Sequence, residues 1–256
     1  MVKSISASIF MIIFVLVVSP DQAISTTNLY DDFSSGYLSA EKWWPREYVR
    51  EIVDGKLVSK LGNSEGMGAE VAPGVYRNNL SFVNPDSIHS IRCEITIVET
   101  KLDNASDAES FARLAGYFYN VNESGGATGD IFAMLMVGDR GNGLEAYWEV
   151  QKMLSDDTRN WEVIGSGTIP IAEPLQYDVP YLAELSCTFD EPSNTNTFHF
   201  TVDGQSETFI GPPRQRDNQA SFMGLSFLLN SSNGSNTVYV FVDFDHVYVN
   251  ESIYDT

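Results

Sequence analysis

Four polar residues at alternating positions, Glu145, Tyr147, Glu149 and Gln151, are the first candidates for chemistry in this chain. They interleave with Ala146, Trp148 and Val150, so a strand over Leu144 to Met153 presents all four on one face and packs the others behind it. An aromatic ring among hydrogen-bonding groups is what a sugar platform requires, although exposed strands often carry the same mixture. Two carboxylates on one face also raise the question of glycoside hydrolysis. At ~3.3 Å per residue Glu145 and Glu149 lie ~13 Å apart, whereas retaining glycosidases need about 5 Å and inverting ones about 6.5–9.5 Å. The two cannot form that couple by themselves. The face is therefore assigned to ligand binding, with no catalytic residue.

Other reactive patterns fail on context. Gly62-Asn63-Ser64-Glu65-Gly66 matches G-x-S-x-G, but a nucleophile elbow needs a following helix and Met67 to Val71 has no helical pattern. His89, His199 and His246 are the only histidines and none has zinc-ligand spacing. His199 shares its phase with Thr197 and Thr201, which places it on an exposed edge. There is no phosphate-binding loop and no dinucleotide fingerprint. Trp43, Trp44 and Trp161 offer flat faces to sugars, while Trp148 has the phase of a core residue.

The elements that must position these residues are nearly all strands. Strands are expected at 47–53, 56–61, 88–99, 112–120, 131–137, 144–153, 160–164, 181–189, 196–203, 207–210, 221–229 and 237–249. Asp54-Gly55 and Asp203-Gly204 supply hairpin turns. Ile131 to Val137 is apolar in both phases, as in a central strand covered on both sides. With no long helix, no repeat and no linker, the pattern predicts a single all-β domain, a two-sheet antiparallel β-sandwich of jelly-roll type, over residues 26–256.

Residues 1–25 precede it as a signal peptide. Ile9 to Val18 is too short for a spanning helix, and Ala23-Ile24-Ser25 carries small residues at the cleavage positions. The expected location is secreted, periplasmic or extracellular, with no membrane association after cleavage. A net charge of −20 repels phosphate backbones and anionic lipid, so nucleic acid is not an expected partner. It also disfavours strongly anionic glycans unless cations bridge. N-x-S sequons begin at Asn79, Asn104, Asn122, Asn230, Asn233 and Asn250 and matter only in a eukaryotic secretory pathway. Cys93 and Cys187 both have core parity. They form a disulfide if their strands bring them together, and are two separate buried thiols otherwise.

The opening Tyr30-Asp31-Asp32-Phe33, Trp43-Trp44 and Asp54-Gly55-Lys56-Leu57, together with the ending Phe244-Asp245-His246-Val247-Tyr248-Val249, resemble the concanavalin A-like lectin/glucanase superfamily. The resemblance implies a concanavalin A-like jelly roll. Laminarinase-type members carry their catalytic carboxylates as E-x-D-x-E or E-x-D-x-x-E on one strand, a pattern absent here. The expected function is an exported, non-catalytic protein binding a glycan or another extracellular ligand. A glycoside hydrolase or polysaccharide lyase with non-standard residues is the alternative, and a structural cell-envelope module a third. The resemblance further implies a structural calcium held by the Asp32 region, Gly55 and Asp245. Asp245 also shares parity with Val247 and Val249, so it is nearly buried if those valines face the core; in the other phase it meets solvent.

Overall fold

The computed structural model describes residues 27–34, 50–62, 69–72, 75–102, 108–156, 160–230 and 239–251. The expected signal peptide, Trp43, Trp44, residues 63–66 of the G-x-S-x-G match, and the sequons at Asn104 and Asn233 lie outside them. Among the described residues fifteen strands follow one another: β1 (Thr27–Asp31), β2 (Arg50–Val53), β3 (Lys56–Gly62), β4 (Ala69–Ala72), β5 (Val75–Ser81), β6 (Ile88–Lys101), β7 (Glu109–Asn120) and β8 (Asp130–Asp139). After these come β9 (Leu144–Met153), β10 (Trp161–Thr168), β11 (Pro180–Asp190), β12 (Thr195–Val202), β13 (Gln205–Gly211), β14 (Met223–Asn230) and β15 (Tyr239–Glu251). The sole helical element among the described residues is one 3₁₀ turn at Pro85–Ser87.

The strands form two antiparallel sheets. One runs β13-β12-β11-β6-β15-β3-β2, with β1 also paired to β15, and the other runs β10-β9-β8-β7-β14-β5-β4. This is the two-sheet jelly roll that the sequence predicts. The first and last strands meet, as the paired opening and ending motifs imply, with Asn28 opposite Val249. Asp54 and Gly55 both have positive φ (51° and 79°), the conformation a two-residue type I′ hairpin demands, and Asp203-Gly204 repeats it.

Alternation sends one residue set of each strand into the space between the sheets. Ile91, Cys93, Ile95 and Ile97 of β6 and Leu135, Val137, Trp148 and Leu225 of the facing sheet are all within it. Trp148 stacks on Phe200 with ring centroids 4.8 Å apart, and Phe118 meets Phe198 edge-on at 5.2 Å. Burying each such side chain contributes about 1.5–3 kcal/mol. Strand β8 is buried on both faces, as its unbroken apolar run demands. Its even-numbered residues Phe132, Met134 and Met136 join Phe111 and Ala115 in a second apolar cluster on the outer face of the seven-stranded sheet.

Two elements depart from expectation. Strands β4 and β5 were not legible, because V-Y-R-N-N-L-S has polar residues where an apolar face would be sought. In β15 the alternation breaks: Phe244 and Val247 both face the core, the register slips between Asp245 and Tyr248, and His246 takes a positive φ of 47°. Val247 and Val249 are buried, yet the bulge turns Asp245 outward with a side chain 17% exposed. Parity with those valines therefore does not bury Asp245, contrary to the inference that assumed unbroken alternation.

Candidate functional site

The outer face of the seven-stranded sheet collects the candidate residues in register across five strands. Asn79 of β5 lies opposite Ser226 of β14, which is opposite Arg113 of β7, then Met136 of β8, then Tyr147 of β9. The neighbouring row runs Ser81, Gly224, Ala115, Met134 and Glu149. Tyr117, Phe132 and Gln151 follow in the next. Thus Glu145, Tyr147, Glu149 and Gln151 share one face, and beside them stand Arg77, Asn79, Arg113 and Tyr117.

These last four escaped sequence reasoning. Arg77 and Asn79 lie on the unrecognised strand β5. Arg113 is a charged residue inside a strand whose neighbours are apolar in both phases, which was a usable signal. It is 1% exposed. Its Nε and Nη2 both donate to Ser226 Oγ, at 2.9 and 2.5 Å, and Nη1 reaches the Met134 sulfur at 3.5 Å. Burial pushes the Arg113 guanidinium down, and Arg77 adds repulsion while Glu149 opposes both. Arg77 is itself pushed down by burial.

Glu149 accepts a hydrogen bond from the Gln151 amide. Burial holds its carboxyl above the ordinary range; the Gln151 hydrogen bond, Arg113 and Arg140 oppose this, while Glu109 adds to it. Tyr147 packs against the second apolar cluster, and the Arg140 guanidinium lies over its ring at 4.5 Å. Arg140 Nε also reaches Glu109 at 2.9 Å and Glu145 at 3.6 Å. Burial pushes the Tyr117 phenol up, with Arg77 opposing.

The rim beyond Tyr117 is fixed by Asp130, which is fully buried. It accepts hydrogen bonds from Asn120 Nδ2 at 2.5 Å and from the backbone N–H groups of Gln219 and Ala220 at 2.9 and 2.6 Å. The Tyr117 N–H donates to the Phe222 carbonyl at 2.9 Å, so the 212–222 segment brings Phe222 onto the same cluster. The buried carboxylate is thus satisfied by a scaffold role.

The remaining expected positions lie on the other sheet. A methyl group built on Gly55 would sit 4.0 Å from the Asp32 carbonyl oxygen, so those two come together at the first hairpin. Asp245 instead groups with Glu94 and His246, their ligand atoms lying within 4.8 Å of one another. Asp245 Oδ1 accepts the His246 N–H at 2.8 Å. Such a half-buried trio with a ring nitrogen suits calcium poorly, because calcium selects six to eight oxygens.

The disulfide expectation is corrected. Cys93 and Cys187 are free, although their strands are neighbours. Cys93 pairs with Ala183, and Cys187 lies four residues further along β11, which is ~13 Å, well beyond the ~7 Å that a bridge tolerates between Cα atoms. Cys187 lines a cavity of about 430 Å³ with His89, Ser186, Arg214 and Asn250. Burial pushes its thiol up to about 12. His199 is half-buried on the outer face of its sheet, one strand in from the edge rather than at it.

No protein-family model matches the chain, and no curated protein matches it. Solved structures do resemble it. A κ-carrageenase from Pseudoalteromonas carrageenovora, in complex with a κ-carrageenan oligotetrasaccharide, is 12% identical over 91% of this chain and 99% of that one, with a TM-score of 0.48. The alginate lyase vAL-1 from Chlorella virus is 16% identical over 80% and 90%, with a TM-score of 0.45. A legume lectin-like domain from Entamoeba histolytica is 10% identical over 79% and 87%, with a TM-score of 0.39. At these identities and scores the likeness is one of sheet architecture and extends no further.

Proposed function

We propose that this is an exported glycan-binding protein that holds its ligand on the outer face of the seven-stranded sheet and does not turn it over. The observation that carries the reading is the grouping of Tyr147, Glu145, Glu149 and Gln151 on one face with the cross-strand row Asn79, Ser226 and Arg113. The half-buried Tyr147 ring accepts the carbon face of a sugar, while the flanking Glu145, Glu149 and Gln151 hydrogen-bond its hydroxyls. The Glu109 and Glu145 carboxylates both lie against the Arg140 guanidinium, at 2.9 and 3.6 Å, which supports a binding rather than a cleaving role for them. The acidic surface argues against nucleic acid as the partner.

The test is a glycan array with the full chain, followed by titration of each binder against Tyr147→Ala. Binding should fall in the variant, and binders incubated with the protein should gain neither new reducing ends nor the absorbance of an unsaturated uronate. Turnover of a bound glycan would replace the binding role with a hydrolase or lyase. Inertness in both assays would leave a structural envelope module.

A further inference from the structure

The eight-stranded sheet forks at one end. Strands β6 and β11 pair as far as Ser90 and Ser186 and then part: β6 stays on β15 to Ile88, while β11 stays on β12 to Asp190. The cavity of about 430 Å³ that Cys187 lines takes its walls from both sides of this fork. Ser186, Ser90 and Asn250 stand in one cross-strand row along it, and Phe118 and Tyr119 of the facing sheet close its floor. A space of this size takes a small molecule rather than a single ion.

The polar lining is acceptor-rich and unanswered by the protein itself. Asn250 Oδ1 is buried with no hydrogen-bond partner. The Glu184 and Glu191 carboxylates line the same cavity and form no ion pair or hydrogen bond with a described residue. Arg92, opposite Glu184 on β6, lies over the Tyr248 ring instead. Arg214 is already paired with Asp217 and covers the Phe189 ring at 5.6 Å. Burial and Arg214 push the His89 imidazole down, with Asp217 opposing, so it supplies no cation near neutral pH. Exposed carboxylates often stand alone, but a buried acceptor beside them calls for a donor. Glu184 and Glu191 are seven residues apart, up to ~23 Å along the chain, so the cleft is long and carries one carboxylate toward each end. We infer that this cleft binds a linear aliphatic polyamine, a site separate from the glycan face and on the other sheet. Its ammonium groups meet Glu184 and Glu191, an N–H of the chain donates to Asn250 Oδ1, and its methylenes run beside the exposed Phe189 ring. A bare metal ion would leave Phe189 and most of the space unused. A neutral ligand would leave both carboxylates unpaired, and an anion would be repelled by them. The net charge of −20 draws a polycation toward the surface.

The experiment titrates the full chain by calorimetry with spermidine, with triethylene glycol as a neutral chain of similar length, and with magnesium chloride as an inorganic cation. Spermidine should bind one to one, triethylene glycol should not bind, and magnesium at equal charge should not displace spermidine. The three histidines locate the site by NMR: the ring resonances of His89, in the cavity wall, should move, while those of His246, beside Glu94 and Asp245, should not. Glu184→Gln and Glu191→Gln should each weaken spermidine by about tenfold, as loss of a charged hydrogen bond does. Both variants should melt as wild type does, because neither carboxylate has a partner to lose, and Tyr147→Ala should bind spermidine unchanged. Displacement by magnesium, movement of His246 without His89, or indifference to both glutamine variants would show adventitious attraction to an acidic surface and overturn the inference. Absence of spermidine binding would overturn it too. None of these results bears on the glycan array, so the two readings fail separately.

Discussion

Replacing Arg113 by methionine together with Ser226 by alanine should stabilise the protein. The guanidinium is 1% exposed and sits among Met134, Met136 and Phe111. Among the described residues no carboxylate pairs with its charge. Exchanging a buried charge for an apolar side chain of similar length is neutral to stabilising by about 1–4 kcal/mol. Against this stands Ser226, fully buried, whose hydroxyl would lose the donors it now accepts from. An orphaned hydroxyl costs about 1–3 kcal/mol. Arg113→Met alone should therefore change stability little, whereas Arg113→Met with Ser226→Ala should gain most of the 1–4 kcal/mol. In a domain of this size each kcal/mol moves the midpoint by roughly 2–4 °C. Ser226→Ala alone should lower it, because the guanidinium then loses its only oxygen acceptor. Thermal melts of the four proteins, backed by urea titrations, read these differences directly. A double variant melting several degrees below wild type would show that the charge contributes net stability, and this accounting would be refuted.

Other outcomes follow from the same geometry. Burial raises Glu149 in the folded state, so its contribution to stability is complete below its ordinary value of 4.5 and is lost as pH rises through the raised one. Glu149→Gln should accordingly melt above wild type near neutral pH and lose that advantage on acidification, as melts at stepped pH would report. Intact mass should not change on reduction, and a thiol reagent should label neither Cys93 nor Cys187 until the chain is denatured, since burial raises both thiols. Gly138→Ala would place a methyl 2.0 Å from the Ser110 carbonyl oxygen and force β7 from β8, costing more than about 2 kcal/mol, while Gly125→Ala meets nothing within 4 Å and should be near neutral by urea titration. If calcium bridges Asp32, Gly55 and Asp245, wild type should melt higher in calcium than in EDTA and Asp245→Ala should not; identical wild-type melts would dismiss the ion.

Much of the architecture was legible because the core strands alternate cleanly. Ile91, Cys93, Ile95 and Ile97 announce a buried face, and the run from Ile131 to Val137 announces a strand covered twice. The β9 platform was equally readable, since Ala146, Trp148 and Val150 fix its phase. The cross-strand row of Asn79, Ser226 and Arg113 was not. It is assembled across β5, β14 and β7, whose order in the sheet comes from long-range pairing that local pattern does not encode. The cysteines show the same limit: parity placed both on inward faces, but only the register of β6 against β11 reveals the offset between them. Asp245 failed for a different reason, because a single residue of positive φ interrupts the count on which parity depends.

That interruption in β15 falls where the strand changes partners. Residues Tyr239 to Phe244 lie along β3, whereas Val247 to Asn250 lie along β1. Both halves keep β6 on their other side. The bulge therefore works as a joint between two short strands, each with its own alternation, that happen to share one chain. Conformation matters at this joint more than identity. Glycine at 246 would accept the positive φ readily. Were the residue kept and the bulge straightened, regular alternation from Phe244 would turn Val247 and Val249 toward solvent, and Tyr248 and Asn250 toward the core. The positive φ takes one residue out of the count, and both halves of the strand keep their inward faces because of it.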